Sequence, residues 1–574
     1  MKKTLRLLTL LTLVLAGSCA RTNEPTNQLT TGPQFGGRLV IAQLNGPRTF
    51  NPLFTDDNES LTVLSLLQAT LIRINRQTQQ TELDLAASAD FSPDGRVLTM
   101  RLRPDLKFSD GHPLTAEDVV FTFQVIYDPT IPSSVADILK IGGRPIQVEA
   151  INDRTIRFTF PEVVAAAERL FDVVNVLPKH ILEAAYRAGK LKEAWNVSTP
   201  PDQIVGTGPF RVQAYEPGQR LTLIRNPYYW RRDEQGRALP YLDGIDLLIV
   251  PDKNTQLLKF QQGQLDMFYP VQAEQVATLQ PLVQQGDVAL HDLGSSLIAE
   301  LLWFNLNPGH TQQGKPLVDP VKARWFHRVE FRRAVAMAID RQAIVDTVFS
   351  GRATALSSFV SPGETQWYDA QLAPLRYAAD QAAKLLEQIG LVDRDGDGVR
   401  EDAEGHPVRF TLITNTNPLR QKIGLLIQQD LKKVGLEVVF VPIESSALQD
   451  KIYNKRDYEA CLFSLQSGDT DPNSKQNFLL SSGSLHYWHP RQKKPATPWE
   501  AEIDQLMAEQ ARTIDPVARK ALFNRVQRLM AEQMPVIPLV ARNMVTAARQ
   551  RVGHLKPGIL WDHLLWNAEE LYIR

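Results

Sequence analysis

The amino-acid sequence predicts an α/β protein whose sheets carry helices on their faces, and three observations support this. Apolar and polar residues alternate through hairpins around Ser92-Pro93-Asp94-Gly95, Asn152-Asp153 and Pro217-Gly218. Residues 407–443 read as strand, helix, strand, the unit that builds parallel sheet. The composition, 43% hydrophobic and 22% charged over 574 residues, is that of a globular chain long enough for several domains and a large core.

From the N-terminus, MKKTLR is basic and LLTLLTLVLA is apolar but too short for an ordinary membrane span, the pattern of an export signal over residues 1–18. Ala16, Gly17 and Ser18 then precede Cys19, which resembles a lipobox, where the cysteine thiol takes a diacylglycerol. A plain signal peptide with Cys19 incidental is the alternative. The other cysteine, Cys461, sits in the apolar run ACLF and reads as a small buried hydrophobe, so an acylated Cys19 leaves no intramolecular disulfide. Residues 19–36 are rich in Thr, Asn, Gln, Pro and Gly, which predicts a flexible tether, with the folded body starting near Gly37. The formal charge is −1, or −4 with the leader cations Lys2, Lys3 and Arg6 set aside; neither is the footprint of a nucleic-acid partner.

Residues 38–43 then read as a first strand, and 96–103 alternate after a turn as a hairpin strand does. Thr115 and Asp118 form a capping-box-like start to a helix through Val125. Residues 407–414 and 436–443 are strands flanking a helical stretch, and two helices over 499–512 and 516–533 precede a strand at PVIPLV.

A series of segments then carries a specific likeness: FNPLF (50–54), LTMRLRPDLKFSDG (98–111), GTGPFRV (206–212), RNPYYW (225–230), PYLDGIDLLIVPD (240–252), QGQLD (262–266), FRRAVAMAIDRQAI (331–344) and AAKLLEQIGL (382–391). In these segments and their order the chain resembles the family 5 extracellular solute-binding proteins, the peptide-, oligopeptide- and nickel-capturing components of ABC importers. The resemblance implies a two-lobed, type II periplasmic-binding-protein fold with an extra domain in the N-terminal lobe. Carried onto this chain, the first lobe is 37–64, 205–292 and 535–574, the extra domain 65–204, and the second lobe 293–534.

In peptide-binding members a carboxylate three residues before an acidic-Pro pair holds the ligand's α-amino group, with an aromatic three residues earlier. The pair here is Asp471-Pro472, and counting back gives Gly468 and Leu465, so the pattern is broken; Asp469 substitutes only if the loop shifts by one residue. Asp469 or Asp471 in a closed cleft would hold an ammonium by a charge-assisted hydrogen bond, and an Asp-rich turn is the alternative. Asn45 and Gly46 occupy the loop where members expose backbone to ligand, or form an ordinary turn. Trp303, Phe304, Asn305 and Trp488 are candidates to line the cleft, with core packing the alternative for Trp303. His486 and His489 lack a third metal ligand and read as a solvated loop.

The stretch DRDGDGVREDAE places Asp393, Asp395, Asp397 and Glu404 in the register of a calcium loop. A strand follows it rather than a helix, which excludes an EF-hand sensor and leaves either a structural calcium clip or solvated Asp-Gly turns. Structural calcium is the expectation, with no other cofactor required.

The chain carries no G-x-S-x-G, H-E-x-x-H, P-loop or nucleotide fingerprint, which argues against an enzyme. The expectation is a monomeric receptor in the cell envelope, periplasm-facing or extracellular, tethered to a membrane through Cys19. It would capture a short peptide and present it to ABC permease subunits. Alternatives are an oligosaccharide or metal-chelate receptor, a surface sensor or adhesin, or a hydrolase on the same scaffold.

Overall fold

The computed structural model describes residues 32–55, 57–133 and 135–574. Residues 1–18, where an export signal is expected, and Cys19 lie outside the described residues. The fold is α/β, with two lobes and a further domain built onto the first.

The first lobe rests on a four-stranded sheet in the order Arg38–Gln43, Gly244–Ile249, Arg220–Arg225, Phe210–Glu216. The first pair is parallel, and the other neighbours are antiparallel. Gly244 is required there, because a Cβ would run into the Leu223 carbonyl and the Arg38 guanidinium. Arg38 in turn pairs with Asp246 at 2.8 Å. The body begins earlier than composition indicates. Phe35, expected in the tether, packs edge-on against Tyr241 at 5.3 Å, and the Gly36 N–H donates to the Tyr241 carbonyl at 2.9 Å. An aromatic side chain and a backbone bond dock this end of an otherwise polar stretch.

The extra domain carries an antiparallel sheet in the order Ala86–Phe91, Val97–Leu102, Thr155–Thr159, Gln147–Asn152. Helix Ala116–Tyr127 starts where Thr115 and Asp118 predict, with the Asp118 carboxylate accepting from the Thr115 N–H at 2.9 Å. Its Phe123 lies 5.6 Å from Phe158 of the sheet. This core is continuous with that of the first lobe: Phe158 and Phe171 join the same buried cluster as Leu39 and Leu223. Helix Asn58–Leu67 accordingly runs straight through the boundary drawn between residues 64 and 65. Gly208 of GTGPFRV donates its N–H to the Leu67 carbonyl at 2.9 Å, an approach that a side chain would block. Asn51 of FNPLF is fully buried and donates to the Leu191 and Ala194 carbonyls at 3.1 and 3.2 Å.

Two long antiparallel strands, Val288–Phe304 and Val536–Arg549, cross between the lobes. Val288 faces Arg549 at the first-lobe end and Trp303 faces Val536 inside the second. Their register breaks between Asp292 and Ser295, Ser295 and Ala299, and Glu300 and Leu301, where bulges bend the pair into a hinge. The sheet continues through Ala460–Gln466, Arg409–Asn415 and Glu437–Ile443, and helix Pro418–Lys433 makes the predicted crossover between the last two in sequence. The second lobe has its own core, which includes Leu301, Phe410 and Val540. Among the described residues no helix is long and apolar enough to cross a membrane.

Candidate functional site

Beside the hinge, residues of both lobes line a small cavity that is partly open to solvent. The first lobe contributes Tyr269 to Glu274, the start of helix Ala273–Gln284. From the second lobe come Val348, Phe349, Arg352 and Leu419, and the hinge strands add Ser296 and Arg542 to Val545. Its walls mix apolar side chains with charged and amide groups in similar measure.

The charges are distinctive. Arg352 is paired with Asp292 at 3.3 Å, and the Asn543 amide donates to the same carboxylate at 3.1 Å. Arg542 is half-buried and takes part in no side-chain hydrogen bond or ion pair among the described residues. Two rings on which it acts are neutral. Burial pushes the Tyr269 phenol up to about 12 and pushes His563 down to about 4, and Arg542 acts on both. The Tyr269 and His563 rings lie 4.6 Å apart. Arg542 thus adds a positive charge to a wall that also carries the Glu274 carboxylate.

None of the residues singled out in the sequence lines this cavity. Trp303 is fully buried in the second lobe, where its indole N–H donates to the Tyr458 hydroxyl at 3.0 Å and its ring stacks on Tyr487 at 4.5 Å. Phe304 packs among Phe326, Phe331 and Phe410. Asn305 is spent on the Arg456 and Tyr458 carbonyls. These three cannot face a cleft because their strand is central in its sheet and covered on both sides. Trp488 is buried too, donating to Glu500 at 3.0 Å.

His486 is buried rather than solvated, against Glu500 at 3.2 Å. Burial alone would raise the Glu500 carboxyl. Hydrogen bonds from His486, Gln492, Thr497 and Trp488 outweigh it and hold the group at about 2. Asn45 is exposed and reaches Glu59 at 3.4 Å, and Gly46 lies against Tyr215 and Ile249 of the first lobe.

The Asp-rich loop divides in two. Asp471 is buried and gripped by Arg519 through two bonds of 2.7 Å, while also capping residues 472–475, so a ligand has no access to it. Asp469 is part-exposed and points the other way, to Arg169 of the extra domain. Gly468 is exposed, with open space around its Cα. The cation loop also differs from its register. Asp393, Asp395 and Asp397 converge with Glu401, their oxygens within 4.8 Å of one another, whereas Glu404 is turned away to Arg324 at 2.6 Å. Bridges from Glu401 to both Val392 and Pro407 fold that residue back over the loop. Cys461 is buried in its strand, and burial raises its thiol well above the ordinary range, as a structural cysteine requires.

The residues missed in the sequence, Tyr269, Arg352, Arg542 and Arg169, are scattered singly, and nothing local marks a strand arginine as unpaired. Two lobes, a hinge of two bulged strands and an interlobe cavity define a bilobal solute-binding protein. Residues 80–486 match the family model described as bacterial extracellular solute-binding proteins, family 5, middle part, and the chain belongs to that family. It is 29% identical over 552 residues to a probable ABC transporter-binding protein of Deinococcus radiodurans, covering 92% of this chain and 91% of that one. It is 26% identical to the oligopeptide-binding protein AppA of Bacillus subtilis, covering 89% and 88%. The solved structure of AppA from Bacillus subtilis in complex with a nonapeptide is similar over 95% of this chain and 100% of that one, with a TM-score of 0.69.

Proposed function

We propose that this chain is the substrate-binding lipoprotein of an ABC importer, capturing a short peptide between its lobes and presenting it to the permease. The observation that carries the reading is the interlobe cavity, to which both lobes and both hinge strands contribute, so that a ligand there bridges the parts that close. The nonapeptide complex of AppA, similar over nearly the whole chain, supports a peptide as the ligand. Arg542, in no ion pair among the described residues, is available to a peptide carboxylate by a charge-assisted bond. No catalytic role is proposed, and ATP hydrolysis belongs to other subunits. The protein acts as a monomer in the cell envelope, held to a membrane by lipid on Cys19. The cluster Asp393, Asp395, Asp397 and Glu401 offers hard oxygen ligands for a structural calcium ion.

Native mass spectrometry of the mature body, followed by denaturation and identification of what it released, tests the ligand class. Release of a heterogeneous set of short peptides, with rebinding by calorimetry that weakens about tenfold or more in Arg542→Gln, is the expected result. Recovery of a sugar or metal chelate alone, with no binding from a peptide library, would overturn it.

A further inference from the structure

The extra domain touches the second lobe through a small, charged contact. Arg169 stands in the short helix Ala167–Val173, directly after Ala166, whose φ is +53°. It meets Asp469 through two bonds, Nη2 to Oδ1 and Nε to Oδ2, the second at 3.3 Å. Its remaining nitrogen, Nη1, donates to the Gln79 carbonyl at 3.0 Å, and Asp469 Oδ1 also accepts from the Thr470 N–H at 2.7 Å. Every guanidinium nitrogen and both carboxylate oxygens therefore have a partner. Four further bonds cross the same boundary: Ala165 N–H to the Ala511 carbonyl at 2.7 Å, Asn473 Nδ2 to the Ala165 carbonyl at 3.5 Å, Gln79 Nε2 to the Gly363 carbonyl at 2.7 Å, and Arg512 to Glu162 at 2.8 Å.

The other acids behind Asp469 already have partners. Asp471 is matched by Arg519, and Glu364 by Lys475 at 2.5 Å, both pairs almost wholly buried. Arg169 is the one cation paired with Asp469 among the described residues. The pair is only 11% and 30% exposed, so water screens it less than a surface ion pair.

We infer that Arg169 is a built-in counter-ion to Asp469: it clasps the extra domain to the second lobe without a ligand, and it leaves that carboxylate no need of a cationic group from a ligand. A contact made only in the closed arrangement adds to the closed population whether or not a ligand is present. An incoming ammonium would have to displace a two-pronged guanidinium bond to reach Asp469, which gains little. Peptides with free and with acetylated N-termini are then held alike. This second consequence rests on the peptide reading above, whereas the clasp itself does not.

The test uses the mature protein emptied by denaturation and refolding, with its emptiness checked by native mass spectrometry. Small-angle X-ray scattering compares wild type, Arg169→Gln, Asp469→Asn, Arg169→Lys and the charge swap R169D/D469R. Circular dichroism restricts the comparison to folded variants. The expected result is a compact wild type whose radius of gyration grows in both neutral variants and in about 0.5 M salt, where the Debye length falls to roughly 4 Å. Arg169→Lys falls between, and the swap returns toward the compact value. Equal radii for wild type and the neutral variants would overturn the clasp.

Calorimetry with one peptide in free and N-acetylated forms tests the ligand consequence. Wild-type affinities within about twofold of each other, with a preference of about tenfold for the free form appearing in Arg169→Gln, are expected. A preference of that size already present in wild type overturns this part. Binding of neither form counts against the peptide reading instead, and the scattering result still decides the clasp.

Discussion

Single residues carry two predictions. Asp562 is buried, with φ +63°, and accepts from the Ser65 hydroxyl at 2.7 Å. Burial lifts its carboxyl to about 6, against the Ser65 hydrogen bond and the nearby Arg76. The ordinary value in an unfolded chain is about 3.9, so here the folded state binds the proton more tightly. Its contribution to stability is therefore fully present below about pH 4 and is lost as pH rises through 6, a loss of about 3 kcal/mol for complete titration. Asp562→Asn stays neutral and tolerates the left-handed backbone, so urea unfolding should show a gain of up to that size at pH 8 and none at pH 4. The same gain at both pH values would show that charge burial is not the cause. Arg519→Met, by contrast, strands the buried Asp471 carboxylate, and a loss of about 3–5 kcal/mol is expected, smaller in the double variant D471N/R519M. The sequence marks Asp471 by its proline, but it gives no sign of a partner 48 residues on, which is why an internal ion pair read as a ligand contact.

At the scale of elements, local signals were legible where local physics decides. The hairpins, the helix begun by Thr115 and Asp118, and the 407–443 crossover all formed, because alternation, capping and turn residues act within a few positions. What did not show locally was coverage. Trp303 and Phe304, adjacent in a strand, point to opposite faces of the sheet and are both fully buried, and only that packing reveals that neither face is left for a ligand there. Most recognised motifs that could be traced are scaffolding: Asn51, Gly208 and Arg332 satisfy buried backbone carbonyls or allow close approach. The Asp393 loop illustrates register by contrast, since the spacing proposes Glu404 but the β-bridges deliver Glu401. If this loop takes calcium at the weak affinity of extracellular sites, about 10 mM calcium should stabilise the protein by roughly 1–3 kcal/mol in thermal unfolding. Asp393→Asn and Glu401→Gln should each abolish that gain while Glu404→Gln leaves it. No calcium response in wild type would reduce the loop to turns capped by their own carboxylates.

Across the whole molecule the cores are unevenly divided. The first lobe and extra domain share one buried cluster, while the second lobe has another, and the covalent links between the two bodies run through the hinge. Among the described residues nothing apolar on the scale of either core joins them directly; a small cluster of Ile74, Leu297 and Leu560 and the charged contact around Arg169 do so instead. Cooperative unfolding needs an interface whose loss costs about as much as each unit's own stability, and this one is too small and too polar for that. Emptied protein is therefore expected to unfold in urea in two steps, resolved by near-ultraviolet signals from Trp195 in one body and from Trp303 and Trp488 in the other. A ligand in the hinge cavity touches both bodies, so it stabilises only the arrangement in which both are folded, by about 2.7 kcal/mol at a hundred times its Kd. Saturation should raise the first transition toward the second until they merge. Arg169→Gln should separate them further in the empty protein and leave the merged, ligand-bound transition nearly in place. A single transition in the empty wild type, coincident by all probes, would mean that the hinge strands alone transmit folding from one lobe to the other.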